Sequence, residues 1–377
     1  MDKFSKWVSI WGNAVSNGEN RPEGYAKDIT LRYPVKSAFE GDAIRLTFDN
    51  YCGTEAITLS KVTVLINGRF HAILFDGKMS VTIPAGERTV SDELEIQIKE
   101  WDTITVSMYL GDFTQMRSCV YVQGPLSCDS LYAVGDQTEV EDISIDISLP
   151  KSIVYFLSNI SVRTAEKNHA IVCYGDSITA QDWPDYLALR CRELGFKNTS
   201  IIRRATSGSR ILREYSCLKY LSYGLKGSKR FDHEVPTDGA DAVIIQQGIN
   251  DIIHPVGTDV NPFRPMSDLP TAEELIDGLK YYIEHARSFG LKVYVGTLLP
   301  IEGWRTYAPF REELKNAYNE FIRTTDLIDG CIDFDKAVRD PKNPAAFNKG
   351  NDSGDHLHPS ALGYKTMAEA VDEKIIK

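Results

Sequence analysis

The hydrophobic period of this chain changes once, near residue 165, and that change constrains the fold more than any other feature. Upstream, apolar residues alternate with polar ones in Thr30–Val35, Ala43–Phe48, Lys61–Ile66, Leu94–Ile98 and Thr103–Met108. A period of two reads as half-buried strands, and Glu40-Gly41-Asp42, Asn67-Gly68, Asp76-Gly77 and Pro84-Ala85-Gly86 supply turns between them. Many short strands at this spacing predict an all-β sandwich or jelly-roll-like domain over 1–165. Downstream, Ala170–Tyr174, Ser200–Ile202, Ala242–Ile245, Lys292–Val295 and Cys331–Phe334 are continuously apolar, as strands covered on both faces must be. Helical stretches alternate with them: Trp183–Leu194, Ala272–Phe289, Pro309–Thr325 and Pro359–Ile376. Leu275, Ile276, Leu279, Ile283 and Ala286 fall on one stripe of the second of these. Residues 166–377 are therefore expected to form an α/β domain with a mostly parallel sheet between helices.

Charge excludes two classes of partner. Against 42 Lys and Arg stand 53 Asp and Glu, a net charge of −11, which repels phosphate backbones and anionic lipid headgroups. The densest basic cluster, Lys226 to Arg230, holds only the cations Lys226, Lys229 and Arg230. Neither a nucleic acid nor a membrane is expected as a partner, and no stretch approaches the ~20 apolar residues of a spanning helix. The apolar opening segment, Met1 to Ser16, is broken by Ser5, Ser9, Gly12 and Asn13, so it reads as a strand rather than a secretory h-region. Seven widely spaced cysteines (52, 119, 128, 173, 191, 217, 331) contain no C-x-x-C pair. Free thiols in a cytoplasmic protein are the expectation, with neither a disulfide framework nor a zinc site.

In sheets of this kind ligands sit beyond the carboxyl ends of the strands. Tyr174-Gly175-Asp176-Ser177-Ile178-Thr179 follows the first strand and would present a hydroxyl there, although Asp and Ser also serve as turn or cap residues. Ala205-Thr206-Ser207-Gly208-Ser209-Arg210 follows the second, where a glycine lets a backbone N–H approach a ligand. Gln246-Gln247-Gly248-Ile249-Asn250-Asp251 follows the third, and the Asn250 carboxamide either donates to a developing oxyanion or closes an Asx turn. Near the C-terminus stands Asp355-His356-Leu357-His358-Pro359. An Asp three residues before a His can accept its Nδ1–H, fixing the tautomer and freeing Nε2 as a base. His356, His358 and one carboxylate make only an incomplete metal set, with no third His or Cys nearby.

Taken in this order, these segments resemble the four blocks of the SGNH, or GDSL-like, hydrolases, which carry Ser, Gly, Asn and His in turn. Gly175-Asp176-Ser177, Gly248-Ile249-Asn250-Asp251 and Asp355-x-x-His358 match the first, third and last blocks. In the second, Gly208 falls in place, but Arg203 and Ala205 stand where the family usually has Asn and Gly. The resemblance implies a flavodoxin-like, three-layer α/β/α catalytic domain. It also implies a serine esterase that needs no cofactor: Ser177 as nucleophile, His358 as base, Asp355 as its orienting carboxylate, and Ser177, Gly208 and Asn250 as oxyanion donors. Asp176 and Asp251 would brace their loops. Upstream, Thr30-Leu31-Arg32, Gly41 to Asn50 with Gly53, Ser91-Asp92 and Tyr155-Phe156-Leu157 look like the N-terminal β-domain of one carbohydrate-esterase branch. That branch commonly has a longer insertion where only Ala180-Gln181-Asp182 lies here.

The substrate expected from these features is a small acylated molecule, an acetylated oligosaccharide first, with Trp183, Trp304 and Tyr307 walling its site. Trp183 reads equally well as a packing residue at a helix start. Two alternatives stay open: a lysophospholipase or acyl-thioesterase for longer chains, and a non-catalytic sugar-binding protein on a hydrolase scaffold. Trp7, Trp11, Tyr25 and Tyr33 are candidate glycan platforms or core residues of the N-terminal domain, which otherwise shapes the rim of the site or a homo-oligomer interface.

Overall fold

The computed structural model describes residues 4–17, 24–127, 130–143 and 153–377. The chain divides into two compact units, the first formed by residues 1–170 with 197–202 and 237–239, the second by 171–196, 203–236 and 240–377.

The first unit is built on two five-stranded sheets whose strands pair antiparallel. One is centred on Leu157–Thr164 and Gly41–Asp49, the other on Ile29–Lys36 and Thr103–Leu110. Lys61–Ile66 and Arg69–Ile73 form a hairpin joined by Asn67 and Gly68, both at positive φ (52° and 73°), the turn that matches strand twist. Half-burial, expected of every strand here, holds for Leu94–Ile98 but not for Ile29–Lys36, where Leu31, Arg32 and Tyr33 are all buried. Residues 135–141 cover that outer face. The Arg32 guanidinium donates to the Gln137 and Glu141 carbonyls, both at 2.9 Å, and Thr30 Oγ1 donates to the Gly135 carbonyl at 2.7 Å.

The candidate platform aromatics do not behave alike. Tyr33 is buried, and its hydroxyl accepts the Tyr155 N–H. Tyr25 is exposed and bonded to Glu55, Trp7 lies under the Arg45 guanidinium, and Trp11 is half-buried. Among the described cysteines all six are free thiols, and Cys128 lies outside the described residues.

The α/β part of the chain carries a five-stranded sheet of His169–Gly175, Thr199–Ala205, Ala240–Gln246, Lys292–Gly296 and Gly330–Ile332, in the spatial order second, first, third, fourth, fifth. The third and fourth strands pair in parallel, as do the fourth and fifth. Ile171, Val172, Cys173, Val243 and Ile244 are fully buried, as their unbroken apolar runs require. In this order the chain reverses direction across the sheet between the first and third strands. That leaves a crevice at their carboxyl ends, where such folds bind ligands.

Helices α1 (Ser177–Ala180), α2 (Trp183–Glu193), α3 (Gly227–Glu234), α4 (Ile249–Ile253), α5 (Ala272–Ser288) and α6 (Pro309–Thr324) fill the connections. Thr271 and Glu274 close a capping box at the start of α5. Its buried stripe includes Tyr282, whereas Ile276 is only half-buried. Gly330–Ile332 ends earlier than its apolar run, because Asp333 caps α7 (Phe334–Val338) through the Lys336 N–H. The single helix expected over Pro359–Ile376 is two, α8 (Ala361–Ala370) and α9 (Glu373–Ile376). Asp372 interrupts it, adopting an extended backbone and accepting the Lys374 N–H as the second cap. Among the described residues no helix is long and apolar enough to cross a membrane.

Trp183 does not wall a ligand site. It is fully buried, its ring lies 5.3 Å from that of Phe334, and its Nε1–H donates to Thr179 Oγ1 at 3.3 Å. The tryptophan is a packing residue that seats α2 behind the segment carrying Ser177. Trp183→Ala is expected to cost about 3–5 kcal/mol through the cavity it leaves, read as a lowered urea midpoint at unchanged slope.

Candidate active site

Ser177 opens α1 directly beyond the first strand. Asp176 caps that helix, its Oδ1 accepting the Ile178 N–H at 3.1 Å. The second strand braces the same segment: the buried Arg203 guanidinium donates to the Ala180 carbonyl at 3.1 Å and pairs with Asp185. Arg203, a departure from the family pattern, thus ties the Ser177 segment down.

Ser177, Asp355 and His358 are brought together. Ser177 Oγ lies 2.9 Å from His358 Nε2, and His358 Nδ1 lies 2.7 Å from Asp355 Oδ2. The other carboxylate oxygen, Asp355 Oδ1, accepts the backbone N–H groups of Leu357 at 2.9 Å and His358 at 2.8 Å, and the Ser353 hydroxyl at 3.1 Å. Partial burial works to raise the Asp355 pKa, but the imidazole and the two N–H donors outweigh it and hold the carboxyl below its usual range. A carboxylate so held fixes the ring with Nδ1–H toward itself and leaves Nε2 to face the serine.

A second Asp–His pair lies on the same loop. His356 Nδ1 is 2.6 Å from Asp352 Oδ2, and the His356 backbone sits at φ 64°, in the left-handed region. The imidazole packs on Gly303, where a Cβ would fall 2.7 Å from His356 Cγ. Among the described residues no group of three or more His, Cys, Asp or Glu is arranged to hold a metal ion. Next to Gly303, the half-buried Trp304 stands edge-to-face with His358, ring centres 6.5 Å apart. Tyr307 is half-buried one turn further on, its N–H bonded to the Trp304 carbonyl at 2.8 Å.

Gly208 sits at φ 78° under the Tyr223 ring, where a Cβ would come within 2.4 Å of the ring carbons. Only glycine fits this backbone and this space. Asn250, on α4, is buried, and its Nδ2 donates to the Ser209 carbonyl at 3.1 Å, so the amide is turned toward the Gly208 loop and is not closing an Asx turn. Its neighbour Asp251 accepts the N–H groups of Ile211 at 2.8 Å and Leu212 at 3.0 Å, binding the far side of that loop.

Beneath the loop lies a clamp that sequence reading missed. Ser209 Oγ accepts from Arg230 Nη1 and from Gln247 Nε2, both at 2.9 Å. Arg230 forms a fully buried pair with Glu234 at 2.7 Å and lies over the Tyr174 ring. The i, i+4 spacing of Arg230 and Glu234 was visible in the sequence; that it points inward was not, because such pairs normally line a solvated face.

Burial also marks two carboxyls. Burial, reinforced by Asp251, pushes Asp176 up to about 7 against the Ile178 N–H, and its Oδ2 has no hydrogen-bond partner. Asp251 is pushed up to about 6 by burial, against the two N–H groups it accepts.

A hydroxyl–imidazole–carboxylate relay at a strand-end crevice, beside a loop tied down by buried polar groups, is the arrangement expected of a serine acylhydrolase. The model of the GDSL-like lipase/acylhydrolase family matches residues 171–371, which is 201 of 377 positions. The chain belongs to this family, whose activity is the hydrolysis of acyl esters. Solved structures similar to it include a lipase/acylhydrolase from Enterococcus faecalis, at 21% identity over 55% of this chain and 95% of that one, with a TM-score of 0.41. A GDSL-like lipase from Bacteroides thetaiotaomicron is 19% identical over 56% and 90% of the two chains, TM-score 0.38. An acetyl xylan esterase is 19% identical over 55% and 99%, TM-score 0.40. No curated protein sequence matches the chain.

Removing one partner of a buried ion pair strands the other. Arg230→Met is therefore expected to destabilise by about 3–5 kcal/mol, with most of the loss recovered in Arg230→Met/Glu234→Leu, in a double-mutant cycle read by denaturant unfolding. A second expectation concerns Asp176, whose carboxyl ionises near pH 4 in the unfolded chain but about 7 in the folded one. Between these values the native form holds more protons, so this group costs stability as pH rises toward 7. Asp176→Asn keeps the Oδ1 acceptor and cannot ionise. The Tm of the variant relative to the parent should shift upward between pH 4 and pH 8.

Proposed function

We propose that this chain is a serine esterase that removes short acyl groups, O-acetyl first, from carbohydrate through an acyl-enzyme. The observation that carries the reading is the continuous relay from Ser177 Oγ through His358 to Asp355, at 2.9 and 2.7 Å. A serine hydroxyl is a weak nucleophile unless a base takes its proton as it attacks. In this reading His358 Nε2 accepts that proton while Oγ bonds to the ester carbonyl carbon, and Asp355 stabilises the imidazolium. As the tetrahedral state collapses and its C–O bond to the sugar breaks, His358 gives that proton to the departing sugar oxygen. Water, deprotonated by the same imidazole, attacks the acyl-Ser177 ester and releases the carboxylic acid.

Negative charge appears on the carbonyl oxygen only in the two tetrahedral states. The Ser177 and Gly208 backbone N–H groups and the remaining amide hydrogen of Asn250 are the donors assigned to it. Supporting that assignment, one hydrogen of the Asn250 amide is already held by the Ser209 carbonyl, so the group needs no reorientation during the reaction. The carbohydrate half of the proposal rests on Trp304, whose half-buried ring stands beside His358 with Tyr307 close behind. Such rings offer an apolar face to a sugar ring where the leaving alcohol must sit.

p-Nitrophenyl acetate and acetylated oligosaccharides should both release acetate. Ser177→Ala should abolish turnover, and Asn250→Ala should lower kcat by about 10²–10³-fold with little change in KM. In a series of p-nitrophenyl esters the rate should fall with chain length. A rate that climbs beyond about eight carbons would move the assignment to a lysophospholipase or thioesterase. Undiminished hydrolysis by Ser177→Ala would overturn the esterase reading itself.

A further inference from the structure

The basic cluster that stood out in the sequence, Lys226 to Arg230, plays two parts. Arg230 turns inward to Ser209, while Lys226 and Lys229 join Arg210 and Arg213 around an open groove of about 520 Å³. Only two carboxylates, Glu214 and Asp268, are among its lining residues. Both are already engaged, Asp268 by two cations and Glu214 by one. Asp268 lies 3.2 Å from Arg210 and 3.5 Å from Arg213, and Glu214 lies 2.5 Å from Lys229 Nζ while accepting the Lys226 N–H at 3.1 Å. Four positive groups against two negative ones leave the lining residues with a surplus of two positive charges, on a chain whose net charge is −11. Composition does not explain such an inversion. A concave surface concentrates that potential toward an incoming anion.

The groove continues the loop that carries Gly208. Arg210 stands two residues further along, no more than about 7.6 Å away at Cα. It is 3% exposed, with its guanidinium stacked 4.3 Å over Tyr215, so its charge is fixed in place. Tyr215 in turn meets Tyr223, the ring that covers Gly208, at 5.7 Å. The Asp251 carboxylate that follows Asn250 holds Leu212, another lining residue, by its backbone N–H.

We infer that this groove binds an anionic group, a carboxylate or sulfate, on a sugar unit next to the one that carries the acyl group. As a substrate subsite the groove rests on the esterase reading; as an anion site it rests on its own charges.

Acetylated methyl uronate, acetylated methyl glycoside sulfate and the neutral acetylated methyl glycoside provide the test. At low ionic strength kcat/KM for the two anionic compounds should exceed that of the neutral one about tenfold, mainly through KM. The advantage should shrink in about 0.5 M salt. Arg213 and Lys229 have half-exposed side chains (48% and 50%), so their charges can be reversed with little burden on folding. In Arg213→Glu/Lys229→Glu the ratio of anionic to neutral kcat/KM should fall to one or below. Equal rates for all three compounds, or a preference that survives charge reversal, would overturn the inference. An arm independent of turnover titrates Ser177→Ala with methyl uronate and methyl glycoside sulfate by calorimetry. Saturable binding that disappears on charge reversal supports the groove, even if p-nitrophenyl acetate is never hydrolysed and the esterase reading falls. Absence of saturable binding for both anions overturns the groove while leaving the esterase reading intact.

Discussion

The proposed chemistry hangs on one hydrogen bond, the 2.9 Å contact of Ser177 Oγ with His358 Nε2, between residues 181 positions apart. A contact of that sequence separation is costly to close in a free chain. The sheet carries the cost. Its order puts the carboxyl ends of the first and third strands side by side, so Ser177 and Asn250 emerge at one crevice without any long loop having to be ordered for the purpose. The loop before α8 then needs to deliver only an imidazole already oriented by its own Asp355.

Around this contact the protein accepts local instability. Asp176 is a buried carboxyl pushed up to about 7, and Asp251 one pushed up to about 6. Arg230 and Glu234 are charges removed from water. The two carboxyls hold backbone N–H groups, and Arg230, paired with Glu234, holds the Ser209 hydroxyl. Asp176 fixes the start of α1, Asp251 the far side of the Gly208 loop, and Arg230 its middle through Ser209. Donors meant for a charge that exists only in a transition state must be aimed in advance, and buried polar bracing achieves this where apolar packing would let the loop slide.

The parts of this arrangement that the sequence disclosed were those with short-range signatures. Period marked the strands, Asp355-x-x-His358 lies within one turn of chain, and Gly175-Asp176-Ser177 follows an apolar run directly. What escaped depended on which way a side chain points. Trp183 could face a ligand or the core, and only the presence of Phe334 behind it decides for the core. Arg32 reads as the polar half of an alternating strand, until residues 135–141 are found folded over it. The Arg210 groove escaped because its charges come from three separate segments. The count of cations was legible, but the sharing of Asp268 between Arg210 and Arg213, and the pairing of Glu214 with Lys229, was not.

The contact of His356 with Gly303 has a consequence for how such an enzyme diversifies. The strained, left-handed His356 lies two positions before His358 and is gauged against a glycine one position before Trp304. Trp304 and His358, the aromatic wall and the general base of the proposed reading, are thus mechanically geared. A remodelled loop after the fourth strand, selected for a different substrate, would also displace the imidazole from its serine unless a compensating change arose between Asp352 and His358. Substrate range and turnover in this protein are therefore expected to evolve together rather than one at a time.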